Sequence, residues 1–323
     1  MPIYGADGIN FQGVDGDRYW FEQPFEFTGI PDIDTPLSNF PVSVFLPSHR
    51  SPQETPLVIA LQGMAAPYGW NAFIVPTLTQ MGIAVALLET PFAGERSLVR
   101  TFSAMVSQEL QPLIARNIYF DTQLLFKIFS CTARDISLVR EFCGDRYHLT
   151  NPRVALFGMS MGVLFSGYAF TANGIGERLL GAIGHTNLQL FAKSWGGSLL
   201  PDIAASPLLR VMEPLVYKIK PELRTVIKIM QLTKNLKSPD EFGRICNPMH
   251  YINRVESHRR VRFLLGANDN LVNIRDARSC AADFPNGECY VVPGMGHGKI
   301  QWGPKFVDHV RYFLVTQLGD WQN

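Results

Sequence analysis

Charge is scarce in this chain and neither sign predominates. Lys and Arg total 29 against 28 Asp and Glu, a formal net charge of +1, and charged residues make up only 18% of the sequence. That balance excludes the basic footprint of a nucleic-acid-binding protein. Long apolar runs are missing as well. No stretch approaches the roughly 20 residues that a helix needs to span a bilayer, so no transmembrane segment is expected. The opening residues, MPIYGADGINFQGVDGD, lack a basic region followed by an apolar one, and no secretory signal is read there. Cysteine is sparse: Cys131, Cys143, Cys246, Cys280 and Cys289 occur without CxxC spacing and form no zinc-like cluster with histidine. An odd count fits reduced thiols and a cytoplasmic location better than a disulfide framework. No metal site is expected.

What the chain does have is apolar material, 46% of its 323 residues, enough for a large buried core. Its distribution is rhythmic. An alternating strand is predicted over Pro41–Pro47, and PLVIALQG and IAVALLE are short continuous apolar runs of the kind found in strands buried on both faces. RVALFG, LLGAIGH, RVRFLLGAND and ECYVVPG follow as further strands. Helices are expected around Trp70–Met81, from Asp121 to about Cys143, over MGVLFSGYAFTA, and over PKFVDHVRYFLVTQL, where Phe306, Val310, Phe313 and Leu314 share one face. Strands alternating with helices imply a mainly parallel α/β sheet covered by helices on both faces.

Two stretches break the rhythm. Residues 1–40 mix aromatics with Gly, Asp and Pro and read as an N-terminal arm or irregular hairpins. Residues 187–253 are far longer than an ordinary connection, and Leu223, Val226, Ile227 and Met230 within them repeat at helical spacing. The expected organisation is therefore an arm over 1–40, an α/β core over 41–186 and 254–323, and a helical lid inserted over 187–253, before the strand that carries Asp269.

Gly158, Ser160 and Gly162 spell G-x-S-x-G. In a nucleophile elbow this pattern joins a strand to a helix so sharply that the serine takes strained backbone angles and projects its hydroxyl. The pentapeptide alone is a weak pattern, and an equally simple reading makes Ser160 a small residue in a tight turn. Context strengthens the first reading, because an apolar strand directly precedes it and a helix directly follows. The N–H of Met161, at the start of that helix, is then placed to face an oxyanion. A nucleophilic serine needs a base, and the base needs an orienting carboxylate. His297 follows the last strand in a glycine-rich loop, and Asp269 ends the strand before it. Asp276 is the rival acid, and a local turn flanked by Asn268 and Asn270 is the rival role for Asp269.

With GMSMG, GANDNLV and PGMGHG in that order, the chain resembles the α/β-hydrolase fold superfamily from about Pro41 to Leu318. The resemblance implies Ser160, Asp269 and His297 as a catalytic triad with no cofactor. It also implies a second oxyanion N–H from the residue after an early HG dipeptide. Here the sequence reads ALQGMAAP, so Gln62 stands where that histidine would be and Met64 is the donor by position. Met159, Gln62 and His185 are candidates for the pocket, and His185 has packing against the lid as its alternative. The expected activity is hydrolysis of a small-molecule carboxylic ester with a hydrophobic acyl or alcohol group. Thioesterase, peptidase, acyltransferase and non-catalytic ligand binding are alternatives on the same parts. The lid's Lys218, Lys220, Arg224, Lys228, Lys234 and Lys237 suit either a solvated helix face or weak contact with an anionic membrane surface. Arg96, Arg100 and Arg116 suit either a substrate carboxylate or structural ion pairs. Oligomeric state is not legible.

Overall fold

A computed structural model describes residues 3–63, 68–96, 98, 121–151, 153–199, 241–297 and 304–322. Its centre is a nine-stranded sheet: β1 (Ile3–Phe11), β2 (Val14–Glu22), β3 (Asn39–Phe45), β4 (Leu57–Leu61), β5 (Ala84–Leu88), β6 (Val154–Met159), β7 (Arg178–Ala182), β8 (Arg260–Asn268) and β9 (Gly287–Gly296). The spatial order is β1-β2-β3-β5-β4-β6-β7-β8-β9. The first three strands run antiparallel to their neighbours, and the six from β5 to β9 pair in parallel.

The stretch read as an arm or irregular hairpins thus contains a regular hairpin. β1 and β2 pair over most of their length, β2 registers along β3, and the sheet is extended at one edge. Alternation did not announce β1 because most of its residues are exposed on both faces. β3 departs from expectation in the opposite sense. It lies between β2 and β5, so the residues after Asn39 are all buried and the predicted alternation has no counterpart in exposure.

Eight α-helices flank the sheet among the described residues: α1 (Pro31–Ser38), α2 (Val75–Gln80), α3 (Thr122–Tyr147), α4 (Met161–Ala172), α5 (Leu188–Leu199), α6 (Glu241–Ile245), α7 (Ile274–Ala282) and α8 (Pro304–Leu318). The helix expected over Trp70–Met81 is shorter. Two 3-10 turns, Tyr68–Trp70 and Ala72–Ile74, precede it, and Pro76 sits in the first turn of α2, where its missing N–H costs nothing. Asp121 caps α3 by accepting the Leu124 N–H at 2.9 Å, and His148 ends that helix in the left-handed conformation.

Successive β4 residues divide between two cores. Leu57, Ile59 and Leu61 join α3 and α4 on one face, and Val58 and Ala60 join α2 and α8 on the other. This is the period of two expected of a strand covered on both sides. In α4 every residue from Met161 to Thr171 is buried, which is why it shows no polar stripe. Arg96, fully buried, ties the turn after β5 into the structure by donating to the Leu37 and Glu89 carbonyls and to Asp135 of α3 at 2.7 Å. It is a structural ion pair. Arg100 and Arg116 lie outside the described residues. So do residues 200–240 of the expected lid, with its basic residues and its predicted helix, leaving α5, α6 and the 3-10 turn Pro248–Arg254 as the described parts of that segment.

Candidate active site

The parallel strands end along one line, and the residues that follow them meet there. Leu61 of β4 is in register with Gly158 of β6, Gly158 with Gly181 of β7, and Ala182 with Leu264 of β8. Immediately beyond the strand ends come Gln62, Ser160, Ile183, Asp269 and His297.

Ser160 occupies the turn between β6 and α4 with φ 51° and ψ −120°, a left-handed φ that a side chain adopts only when its surroundings hold it there. Two backbone hydrogen bonds do so: its N–H reaches the Ala182 carbonyl at 2.9 Å, and its carbonyl accepts from Val163 at 3.0 Å. The flanking glycines are required by space and not by φ. A Cβ on Gly158 would lie 2.4 Å from the Gly162 carbonyl oxygen, and one on Gly162 would lie 2.6 Å from the carbonyl oxygens of Leu61 and Gln62. The elbow therefore packs backbone on backbone against β4.

The serine hydroxyl lies 3.0 Å from Nε2 of His297, and Nδ1 of His297 lies 2.8 Å from Oδ2 of Asp269. A carboxylate only accepts, so Nδ1 carries the proton and Nε2 keeps a lone pair toward the hydroxyl. The Asp269 side chain is fully buried, and its other oxygen accepts the N–H groups of Leu271 and Val272 at 2.9 and 2.8 Å. One Asp269 oxygen thus serves the local turn and the other meets the imidazole. Asp276 lies in the first turn of α7, and it is Asp269 that takes the His297 bond.

The other candidates fall as follows. Met161 opens α4, so its N–H is one of the helix's leading donors, while its side chain packs in the core on the α3 side. Met159 is also buried, in the core on the α2 side. Met64 lies outside the described residues. Gln62 is buried and neither atom of its amide has a hydrogen-bond partner. Next to it, Gly63 lies so close to the serine that a Cβ there would sit 3.3 Å from Ser160 Cβ. His185 is fully buried beneath α5, with its ring edge-on to Phe191 at 5.9 Å. Burial lowers its pKa to about 4, against a partial opposing pull from the Asp269 charge, so the ring is neutral.

A second strained turn escaped sequence reasoning. Ile183, a β-branched residue, has φ 50°, and its N–H reaches the Leu264 carbonyl at 2.7 Å. Gly184 follows, and a Cβ there would lie 2.6 Å from the Ser160 carbonyl oxygen. The signal available was the GH pair at the end of a strand beside the elbow. Among the described residues no group of His, Cys, Asp and Glu is arranged to hold a metal ion. No helix there is long and apolar enough to cross a membrane.

No protein-family model matches the sequence, and no curated protein matches it. Solved structures do resemble the fold. The esterase Pf2001 of Pyrococcus furiosus is 13% identical with a TM-score of 0.53, the match covering 99% of this chain and 92% of that one. Est1E from Butyrivibrio proteoclasticus is 13% identical with a TM-score of 0.51, covering 98% and 100%. An acylaminoacyl peptidase from Pyrococcus horikoshii is 12% identical with a TM-score of 0.57, covering 87% of this chain but only 39% of the peptidase. The chain has the α/β-hydrolase fold.

Proposed function

We propose that this chain is a serine hydrolase that cleaves a carboxylic ester through a Ser160–His297–Asp269 triad. The observation that carries the proposal is the hydrogen-bonded run from hydroxyl to imidazole to carboxylate, 3.0 and 2.8 Å, at the carboxyl edge of a parallel sheet. Ser160 attacks the ester carbonyl while Nε2 of His297 takes its proton. Asp269 fixes the tautomer and stabilises the imidazolium. The N–H groups of Met161 and Met64 bind the oxyanion, each worth roughly 10²–10³ in rate. His297 then protonates the leaving alcohol, and a water deacylates the serine by the same route. No cofactor enters this sequence.

The segment 187–253 is proposed as a lid over an apolar pocket whose walls include Gln62 and His185, with weak membrane contact through its basic residues. Cytoplasmic location is part of the same reading. Cys131, Cys143, Cys280 and Cys289 form no disulfide, and burial raises the thiols of the first two to about 12 and those of the last two to about 11.

The test of substrate class is a panel of p-nitrophenyl esters of increasing acyl length, run beside a thioester and an acylated amide. The proposal expects ester turnover with a preference for longer, apolar acyl groups, lost in Ser160→Ala. Turnover confined to the amide would move the assignment to a peptidase, the activity of the acylaminoacyl peptidase of similar fold.

A further inference from the structure

The β7–α5 connection holds a group that the triad chemistry leaves unused. His185 accepts the Asn187 N–H at Nδ1, 3.2 Å away, so Nδ1 is unprotonated. The ring is neutral, and its one proton is therefore on Nε2. That Nε2–H is buried and has no acceptor. A buried donor without a partner is costly and rare, and in a native protein it calls for an explanation.

The surroundings point toward the active site. His185 is delivered by the strained Ile183 and by Gly184, whose Cα side is pressed against the Ser160 carbonyl. Strain in a β-branched residue persists only where the fold over-determines it, and such strain gathers at functional sites. The Asp269 carboxylate is close enough to act on the ring electrostatically, yet its own oxygens are committed to His297, Leu271 and Val272. His185 thus follows directly on the glycine packed against Ser160 and feels the Asp269 charge, without a hydrogen bond to either residue. Its ring is held by the Asn187 N–H at Nδ1 and by the edge contact with Phe191 of α5.

We propose that His185 determines specificity by donating its Nε2–H to a neutral oxygen acceptor, such as a keto, amide or second ester carbonyl, in the non-reacting part of the substrate. This rests on the hydrolase reading of Ser160 and narrows its substrate class from purely hydrocarbon esters to oxygen-bearing ones. The acceptor is neutral because an anion would be repelled by the nearby Asp269 carboxylate and met by a ring that carries no charge.

The experiment compares p-nitrophenyl octanoate with analogues in which a single chain CH2, from carbon 4 outward, is replaced by C=O. A parallel series carries the carbonyl in the alcohol half. Each is run with wild type, His185→Phe and His185→Gln. Phe keeps a ring against Phe191 but removes the donor; Gln restores an N–H at similar reach. The quantity read is the ratio of kcat/KM for an oxo ester to that for its parent. The proposal expects at least one oxo ester to be favoured by wild type, that ratio to fall about 10- to 100-fold in His185→Phe, and Gln to recover part of it. Ratios that are the same in wild type and His185→Phe for every ester overturn it. They leave the hydrolase assignment standing, because the parent ester is still turned over. If wild type cleaves no ester and Ser160 takes no fluorophosphonate, the hydrolase reading fails and this proposal falls with it. A uniform loss of activity in both variants, with a lowered melting temperature, assigns His185 to structure and also overturns it.

Discussion

Among single side chains, Asp269 divides its two oxygens between the local turn and the imidazole of His297. Oδ1 takes two backbone N–H groups and Oδ2 takes His297. In Asp269→Asn the amide oxygen can still hold the turn, but the amide nitrogen cannot accept from Nδ1–H, so the imidazole is driven to the wrong tautomer. The expected outcome is a loss in kcat on the order of 10⁴ with little change in melting temperature. Parallel loss of both would show that the carboxylate matters only to the turn. His185 gives a second prediction, from pH. Its folded pKa, lowered to about 4 by burial, lies below the roughly 6.5 of an unfolded histidine. Between those values the unfolded chain binds the extra proton, so native stability falls as pH drops from about 6.5 to 4, by on the order of 3 kcal/mol in all. His185→Phe lacks this loss. Urea midpoints of the variant should therefore gain on those of wild type as pH falls from 7 to 4, whereas parallel curves would contradict the buried, neutral assignment.

At the scale of elements, the strand–turn–helix from Val154 to Ala172 decides the site, and its sequence made it legible. VALFGM is apolar throughout because β6 is buried on both faces, and Gly158 and Gly162 are needed where backbone meets backbone. Gly162→Ala places a Cβ 2.6 Å from two carbonyl oxygens of the β4 end, so β4 and α4 must part. The expected cost is about 2 kcal/mol or more, together with a fall in esterase rate as Ser160 leaves His297; denaturant titration and kcat on one ester check both. Asp269 and His297 were legible for a related reason, each following an apolar run that ends in a turn. The N-terminal hairpin was legible only as an arm or irregular hairpins, because β1, exposed on both faces, carries no alternation. The strain at Ile183 was not legible, since a β-branched residue gives no sign of a left-handed turn and the GH pair after it marks only the strand end. The unpaired Nε2 of His185 depends on how Asn187 and Phe191 pack around it, contacts that spacing along the chain does not encode.

Across the whole molecule, the sheet sets the geometry that the elements fill. Parallel pairing from β5 to β9 brings the ends of β4, β6, β7, β8 and β9 to one edge, so Ser160 and His297, 137 positions apart in sequence, come within hydrogen-bond reach. The antiparallel β1–β3 extend the sheet away from that edge's centre, and two cores, one on each face, hold it in place. The central claim is that this framework exists to activate Ser160. Its most direct test is labelling of the folded protein with a fluorophosphonate, with the modified residue located by peptide mass spectrometry. The account predicts one label, on Ser160, abolished in Ser160→Ala and strongly slowed in His297→Ala. Failure of the folded wild type to label, or a label on another residue that survives Ser160→Ala, would contradict it.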